Sequence, residues 1–286
     1  MSTTLEARPA SSFAVNQLGS VFAAEVVGLD LRQPLDPATR QAVYDAFVRY
    51  HVLCFRDQAL SQDEQIAFSL QFGTLERHIA SNRSQGNPLV HIVSNLGPDG
   101  KPSGKVGSQT WHSDKSFRPE PSLATILHAV TMPPQGGDTC FADMETAYAA
   151  LSEARKAELD GVRVVHSWEL SLAKKGIKAP PEEIADAPPM AHPLVRVHPD
   201  SGRRSLFMGE HASHFDGRPM DEGRAALQDL EAFATQERFQ YRHHWRKGDL
   251  LMWDNRCLLH RADANFDAAL HPRVLHRTCL RGTSPG

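Results

Sequence analysis

Histidine and aspartate stand two residues apart in Gln109-Thr110-Trp111-His112-Ser113-Asp114-Lys115-Ser116-Phe117. On a β-strand, residues i and i+2 point to the same face, so the His112 imidazole and the Asp114 carboxylate can converge on one point. A third donor, His260, follows in Trp253-Asp254-Asn255-Arg256-Cys257-Leu258-Leu259-His260-Arg261. Two histidines and one carboxylate on one side of a metal form the facial triad of non-heme Fe(II) oxygenases, which leaves coordination positions open. Arg273 and Arg277 come soon after His260, and a strand would put both guanidiniums on one face. Arginine presents a rigid fork of donors suited to a carboxylate. The chain has fifteen histidines, so a His-x-Asp pair alone also fits an ordinary hydrogen-bonded couple.

The elements that must position these groups can be read from the surrounding pattern. Phe13 to Leu31 suggests two short strands, and Asp36-Pro37 opens a helix with Asp36 as cap and Pro37 at its first position. Ser61 and Glu64 form a capping box for a second helix that stops at Gly73. Strands are expected at Val52–Phe55, Leu89–Val93, Leu123–Val130, Asp138–Phe141, Val162–Trp168, Pro193–His198 and Leu206–Gly209. Four more close the chain near Phe239–Trp245, Asp249–Trp253, Leu258–Arg261 and Arg273–Leu280. Helical periodicity covers Asp143 to Leu159, with a break near Ser152, and about Asp221 to Thr235. Many short strands with helices gathered early predict a mainly β protein with added helices around a jelly-roll core, the double-stranded β-helix. Strands and helices do not alternate regularly, which argues against a doubly wound parallel sheet. Residues 1–12 read as a flexible leader and 13–286 as one domain. Within it, 169–192 shows no sustained period and carries Lys174, Lys175, Lys178 and several prolines, as expected of a lid.

Composition narrows the functional classes. Of 286 residues, 41% are hydrophobic and 23% charged, which is ample for a core. A formal net charge of −3 gives no basic face for nucleic acid or an anionic membrane. No apolar run is long enough to span a bilayer, and no secretory signal is expected at the N-terminus. Cys54, Cys140, Cys257 and Cys279 lie far apart with no Cys-x-x-Cys pair, which suits reduced thiols in the cytoplasm.

The chain resembles the Fe(II)/2-oxoglutarate dioxygenases of the taurine and 2,4-dichlorophenoxyacetate (TauD/TfdA) family. The resemblance runs from about Phe22 to Gly282. It rests on Trp111-His112-Ser113-Asp114, Pro134-Gln135-Gly136-Gly137-Asp138-Thr139, Trp253-Asp254-Asn255-Arg256 with His260, and Arg273-Val274-Leu275-His276-Arg277. It implies that His112, Asp114 and His260 hold the iron, and that Thr139 and Arg273 hold the distal carboxylate of 2-oxoglutarate. Arg277 is implied to lie near the iron-proximal carboxylate and the substrate's acidic group. His78 and Asn95 match substrate-facing positions. His78 fits the taurine enzymes, whereas Gly209-Glu210-His211-Ala212-Ser213-His214 is closer to the aryloxyacetate enzymes, with His214 a further substrate contact.

These residues imply that 2-oxoglutarate and O2 are consumed and that a C–H beside a heteroatom is hydroxylated in a small anionic substrate, aryloxyalkanoate-like. Succinate and CO2 are the by-products, and the hydroxylated product breaks down. Taurine, alkylsulfonates and alkyl sulfates are the alternative substrates, and a homo-oligomer is the expected assembly. Two other classes remain: a non-catalytic jelly-roll binding protein, and a zinc hydrolase built on the same two histidines and aspartate. The hydrolase offers no role for two buried arginines and predicts activity without O2. Trp111 and Trp253 are read as packing residues, and His51, His91, His128 and His166 as core or surface histidines.

Overall fold

The computed structural model describes residues 13–20, 22–77 and 87–285. The core is a pair of facing sheets. The larger runs, edge to edge, through Ala14–Gln17, Ala24–Val27, Val52–Phe55, Leu250–Asp254, Ala124–Thr131, Val274–Leu280 and His91–Ser94. Its pairs are antiparallel except that of Ala24–Val27 with Val52–Phe55. The smaller sheet sets Gln240–His243 and Leu258–Ala262 on either side of Thr139–Asp143. This is the expected mainly β jelly roll with added helices.

Strand alternation decides what each face of the large sheet does. Leu250 and Met252 point outward, into a cluster with Leu53, Phe55, Ile126 and Leu280. Two helices cover that face, Pro37–Tyr50 through Val43 and Phe47, and Gln62–Leu70 through Ile66 and Phe68. Both start as their sequences demand: Asp36 accepts from the Ala38 and Thr39 amides, and Ser61 and Glu64 cap reciprocally. Leu251 and Trp253 point inward and meet Phe141 and Leu258 of the small sheet, with Leu127, Ala129 and Leu275 beside them. Thr125 and Arg277, in step with Leu127 and Leu275, therefore also face the space between the sheets.

A third cluster joins helix Met144–Ala149 and helix Met220–Ala234 to strands Arg163–His166 and Ala212–Phe215. Ser152 ends the first helical stretch by capping the next helix, Glu153–Leu159, at the expected break.

Residues 169–192 depart from the irregular segment expected. They contain most of helix Trp168–Ala173, all of helix Pro181–Asp186, and the first residues of strand Met190–Pro193. Each helix is six residues long, too short to display a 3.6-residue period. Ser167 caps the first through the Leu170 amide, and Pro181 opens the second. The Lys174 ammonium then donates to the carbonyls of Glu210 and Ala212, tying the segment to the body. Strand Ala212–Phe215 is also additional; its polar Ala-Ser-His-Phe sequence carries no strand signal.

Candidate metal centre

His112, Asp114 and His260 come together, each offering one donor atom within 4.8 Å of the others. His260 sits on strand Leu258–Ala262, opposite Phe141. His112 is held against it by two backbone hydrogen bonds, His112 N to His260 O at 3.0 Å and His260 N to His112 O at 2.8 Å. The convergence does not come from a strand pleat through 112–114, as the sequence suggested. His112 makes a single β-bridge, and the chain turns at Asp114, with Lys115 left-handed at φ 54°.

Each donor is aimed by a neighbour. The His112 Nδ1–H donates to the Thr110 carbonyl at 2.8 Å, which leaves Nε2 for the centre. The Thr125 hydroxyl donates to Asp114 Oδ2 at 2.5 Å, and Arg277 Nη1 donates to Oδ1 at 3.2 Å. Asn255 braces this arrangement: its Oδ1 accepts from the Asp114 amide and its Nδ2 donates to Thr125 Oγ1 at 2.9 Å. Burial opposes ionisation of Asp114, but the Arg277 guanidinium and the Thr125 hydroxyl outweigh it and hold the carboxyl below its usual range. Burial, aided by His112, pulls His260 down to about 3, so its ring is neutral and can donate a lone pair.

Among the described residues, three other buried groups of His, Cys and acid side chains are as compact: His51-Glu145-Cys257, Cys54-His243-Asp249 and His198-Asp254-Cys257. In each, the protein already satisfies both nitrogens of the histidine. His51 is bonded to Cys257 and Arg203, His243 to Tyr241 and Asp249, and His198 to Asp254 and the amides of Asp200 and Ser201. By contrast, His260 Nδ1 is buried with no hydrogen-bond partner, and its Nε2 lies 3.8 Å from Asp114 Oδ2, too far for a hydrogen bond. The His112 Nε2 and His260 nitrogens, beside an ionised carboxylate, fit a divalent cation that accepts N and O ligands, as Fe(II) does.

Arg273 reaches the small sheet at Gly137, two residues before Thr139. Arg273 is buried; its Nε donates to Gly137 O at 2.9 Å, and its Nη groups have no hydrogen-bond partner among the described residues. Burial pulls its pKa to about 10 against the pull of Asp138, so it stays charged at neutral pH. Gly137 is left-handed at φ 69°, and a Cβ there would stand 3.2 Å from Arg273 Cδ, so both backbone and space call for glycine. Thr139 Oγ1 accepts from Trp245 Nε1 at 2.9 Å, which leaves its proton free to donate.

The structure revises the remaining expectations. Asn95 spends its whole amide on backbone: Nδ2 donates to Ala268 O and His271 O, and Oδ1 accepts from Arg273 N at 2.7 Å. It anchors the segment that delivers Arg273. His214 bonds to its neighbour Ser213 and sits against Gly223 of helix Met220–Ala234. Its neighbour His211 is the one turned toward the site, 4.8 Å from the Phe117 ring and 5.8 Å from Trp168. Burial, reinforced by His112, pulls His211 down to about 3. His78 lies outside the described residues. Thr125 and Asn255 were not anticipated as site residues, and His91, read as an ordinary histidine, accepts from Arg277 Nη2 at 2.8 Å. Thr125 lies two residues from Leu127, the residue paired with Arg277 on the neighbouring strand, a register that only the fold supplies; nothing in the sequence singles out His91.

The family described as "Taurine catabolism dioxygenase TauD, TfdA family" matches residues 14–279. The chain is 42% identical to the alpha-ketoglutarate-dependent 2,4-dichlorophenoxyacetate dioxygenase of Cupriavidus pinatubonensis, covering 94% of this chain and 98% of that one. It is 36% identical to the (S)-phenoxypropionate/alpha-ketoglutarate-dioxygenase of Sphingobium herbicidovorans, covering 88% and 89%. Among solved structures, AAD-2 in complex with Mn(II) and N-oxalylglycine superposes with a TM-score of 0.86 at 40% identity, covering 96% of this chain and 98% of that one.

Proposed function

From the premise that this chain belongs to the TauD/TfdA family and is an Fe(II)/2-oxoglutarate-dependent dioxygenase that consumes O2, we propose which residues do the work and on what substrate. His112, Asp114 and His260 hold the iron on one face. Thr139 and Arg273 take the distal carboxylate of 2-oxoglutarate, and Arg277 lies where it can meet the acidic group of the substrate. The substrate is a small anionic aryloxyalkanoate, attacked at the carbon that bears the ether oxygen. The observation that carries this reading is the convergence of two histidines with uncommitted nitrogens on one buried carboxylate, to which Arg277 donates.

Bound there, Fe(II) supplies the O2-dependent decarboxylation of 2-oxoglutarate to succinate and CO2 and the hydroxylation of a nearby C–H. The chain's own residues do the rest. The unpartnered Arg273 Nη groups and the Thr139 hydroxyl offer donors to a carboxylate from inside the sheet rim. Arg277 is held between Asp114 and His91, so its guanidinium is oriented before any ligand arrives. Phe117, Trp168 and His211 form an aromatic group beside the metal face, which supports an aryl substrate and exclusion of water. Hydroxylation beside an ether oxygen makes a hemiacetal, which breaks down without further help.

Residues 13–286 act as one dioxygenase domain with 169–192 as its lid. Trp168 against Phe117 and His211 supports this role for the helices that follow it. Among the described residues no helix is long and apolar enough to cross a membrane. Four buried free cysteines support a cytoplasmic home, and exposed Val27, Leu70 and Val197 support association between copies. The test is succinate release with Fe(II), 2-oxoglutarate and air, comparing phenoxyacetate, taurine and an alkyl sulfate. Phenoxyacetate should raise succinate release and yield phenol; stimulation by taurine or the sulfate alone would overturn the substrate assignment. Phenol release without O2 or 2-oxoglutarate would point to a hydrolase.

A further inference from the structure

Behind the metal face lies a cavity of about 280 Å³ that shares none of the side chains assigned to iron, 2-oxoglutarate or substrate. It opens between helix Met220–Ala234 and the Lys174–Lys175 end of helix Trp168–Ala173. Its wall toward the metal is a double layer of backbone. Glu210 N donates to Trp111 O at 2.8 Å, and at Gly209 an added Cβ would meet Trp111 O at 2.9 Å and His112 Cα at 3.2 Å.

The polar groups around the cavity are incompletely matched. Arg224, Leu227, Gln228 and Glu231 share one face of helix Met220–Ala234 at the i, i+3, i+4, i+7 spacing and line the cavity together. Arg224 Nε is buried with no hydrogen-bond partner. Two turns along, the Glu231 carboxylate has no hydrogen bond among the described residues, and burial pushes its pKa up. Lys174 stands opposite on the exposed rim; its ammonium donates to the Glu210 and Ala212 carbonyls, has a third N–H to offer, and makes no ion pair with Glu231 within 4.0 Å. Glu210, by contrast, is already paired with Lys175. Trp111, Met208 and Leu227 give the cavity an apolar floor between these charges.

A buried donor without an acceptor and a desolvated carboxylate without a donor each cost free energy that a matching ligand returns. We propose that this cavity is a second ligand site for a small aliphatic amino or hydroxy acid. The ligand's carboxylate faces Arg224 and Lys174, its ammonium or hydroxyl faces Glu231, and its side chain rests on Trp111, Met208 and Leu227. The site communicates with the metal face through Thr110, whose carbonyl fixes the His112 tautomer. It does not depend on which substrate the metal face serves.

The experiment is calorimetric titration of the full-length protein loaded with Mn(II) and N-oxalylglycine, so that the metal face is filled. The probes are L-leucine, its 2-hydroxy analogue, 4-methylpentanoate, which lacks the second group, and 3-methylbutylamine, which lacks the carboxylate. L-leucine and the hydroxy acid should bind, and each truncated probe should bind about tenfold more weakly for the loss of a charge-assisted contact. Arg224→Met should abolish the advantage of the carboxylate, and Glu231→Gln the advantage of the amino group. The proposal is overturned by no heat from any probe up to about 10 mM, a weak-binding limit, by equal affinity for all four, or by unchanged binding in both variants. Binding to metal-free protein that disappears on loading with N-oxalylglycine would place the probe at the metal face and overturn it as well.

Discussion

Thr125→Val removes one hydroxyl and nothing else of similar size, and that hydroxyl serves two partners. It donates to Asp114 Oδ2 at 2.5 Å and accepts from Asn255 Nδ2 at 2.9 Å, all three side chains being buried. A hydrogen bond to an ionised group contributes about 1.5–3 kcal/mol, and the stranded Asn255 donor costs about 1–3 kcal/mol more unless it finds water. Because these terms share one network and do not add fully, the expected loss in metal-free stability is about 2–4 kcal/mol. Metal affinity should fall as well, because a ligand released from its partner must be reordered on binding; outer-shell losses of this kind run about 10–100-fold. Thr125→Ser keeps the hydroxyl and loses only a methyl group, so Fe(II) affinity should stay near wild type while stability drops by about 1 kcal/mol. The assays are denaturant unfolding of the metal-free protein and calorimetric Fe(II) titration under argon. The reasoning fails if Thr125→Val binds Fe(II) as tightly as wild type, or if the serine variant loses as much affinity as the valine.

Arg273→Met should raise the apparent KM for 2-oxoglutarate by about 100-fold or more, the effect of deleting a buried bidentate partner of a carboxylate, with little change in metal binding; initial-rate kinetics check it. Asn95→Ala should also raise that KM, by about tenfold, by freeing the segment that carries Arg273, and proteolysis near residues 268–273 should accelerate. Gly209→Ala combines φ 109° with contacts of 2.9 Å to Trp111 O and 3.2 Å to His112 Cα, so it should displace His112 and weaken iron binding and succinate formation together. His166, His192 and His243 are buried with depressed pKa values, each chiefly through desolvation. Each is neutral in the fold at a pH where the unfolded chain is protonated. Stability should therefore be full above about pH 6.5, the unfolded histidine value, and fall below it by up to about 1.4 kcal/mol per pH unit per histidine; a denaturant midpoint that stays flat from pH 7 to 5 would contradict this.

The two sheets were legible because strand alternation is a property of the residues themselves. Leu250 and Met252 face one way and Leu251 and Trp253 the other, as their hydrophobic run bounded by turns requires. Asp36, Ser61, Glu64 and Ser152 announce helix starts because capping is a local interaction. Residue type alone marks His112, Asp114 and His260 as candidate ligands, and the fold brings them together through a bridge and a turn, not through the two-residue repeat of a strand. The short helices within 168–186 stayed hidden because six residues cannot show a period. The bonding of Asn95 and His91 is hidden for a different cause. Asn95 is bonded to the backbone of Ala268, His271 and Arg273, and His91 to Arg277, all far along the chain, so nothing local marks their roles. Likewise, only the tertiary partners of His51, His198 and His243 distinguish these buried histidines from His112 and His260.

The measurement nearest to the central claim is the Fe(II) stoichiometry and affinity of the wild type beside His112→Ala, Asp114→Ala and His260→Ala, titrated under argon and then assayed for succinate in air. One Fe(II) per wild-type chain is expected, with affinity lower by about 100-fold or more in each variant as one of the three ligands is removed, and no succinate from any of them. A variant that still binds one equivalent tightly and still forms succinate would show that the iron is held elsewhere.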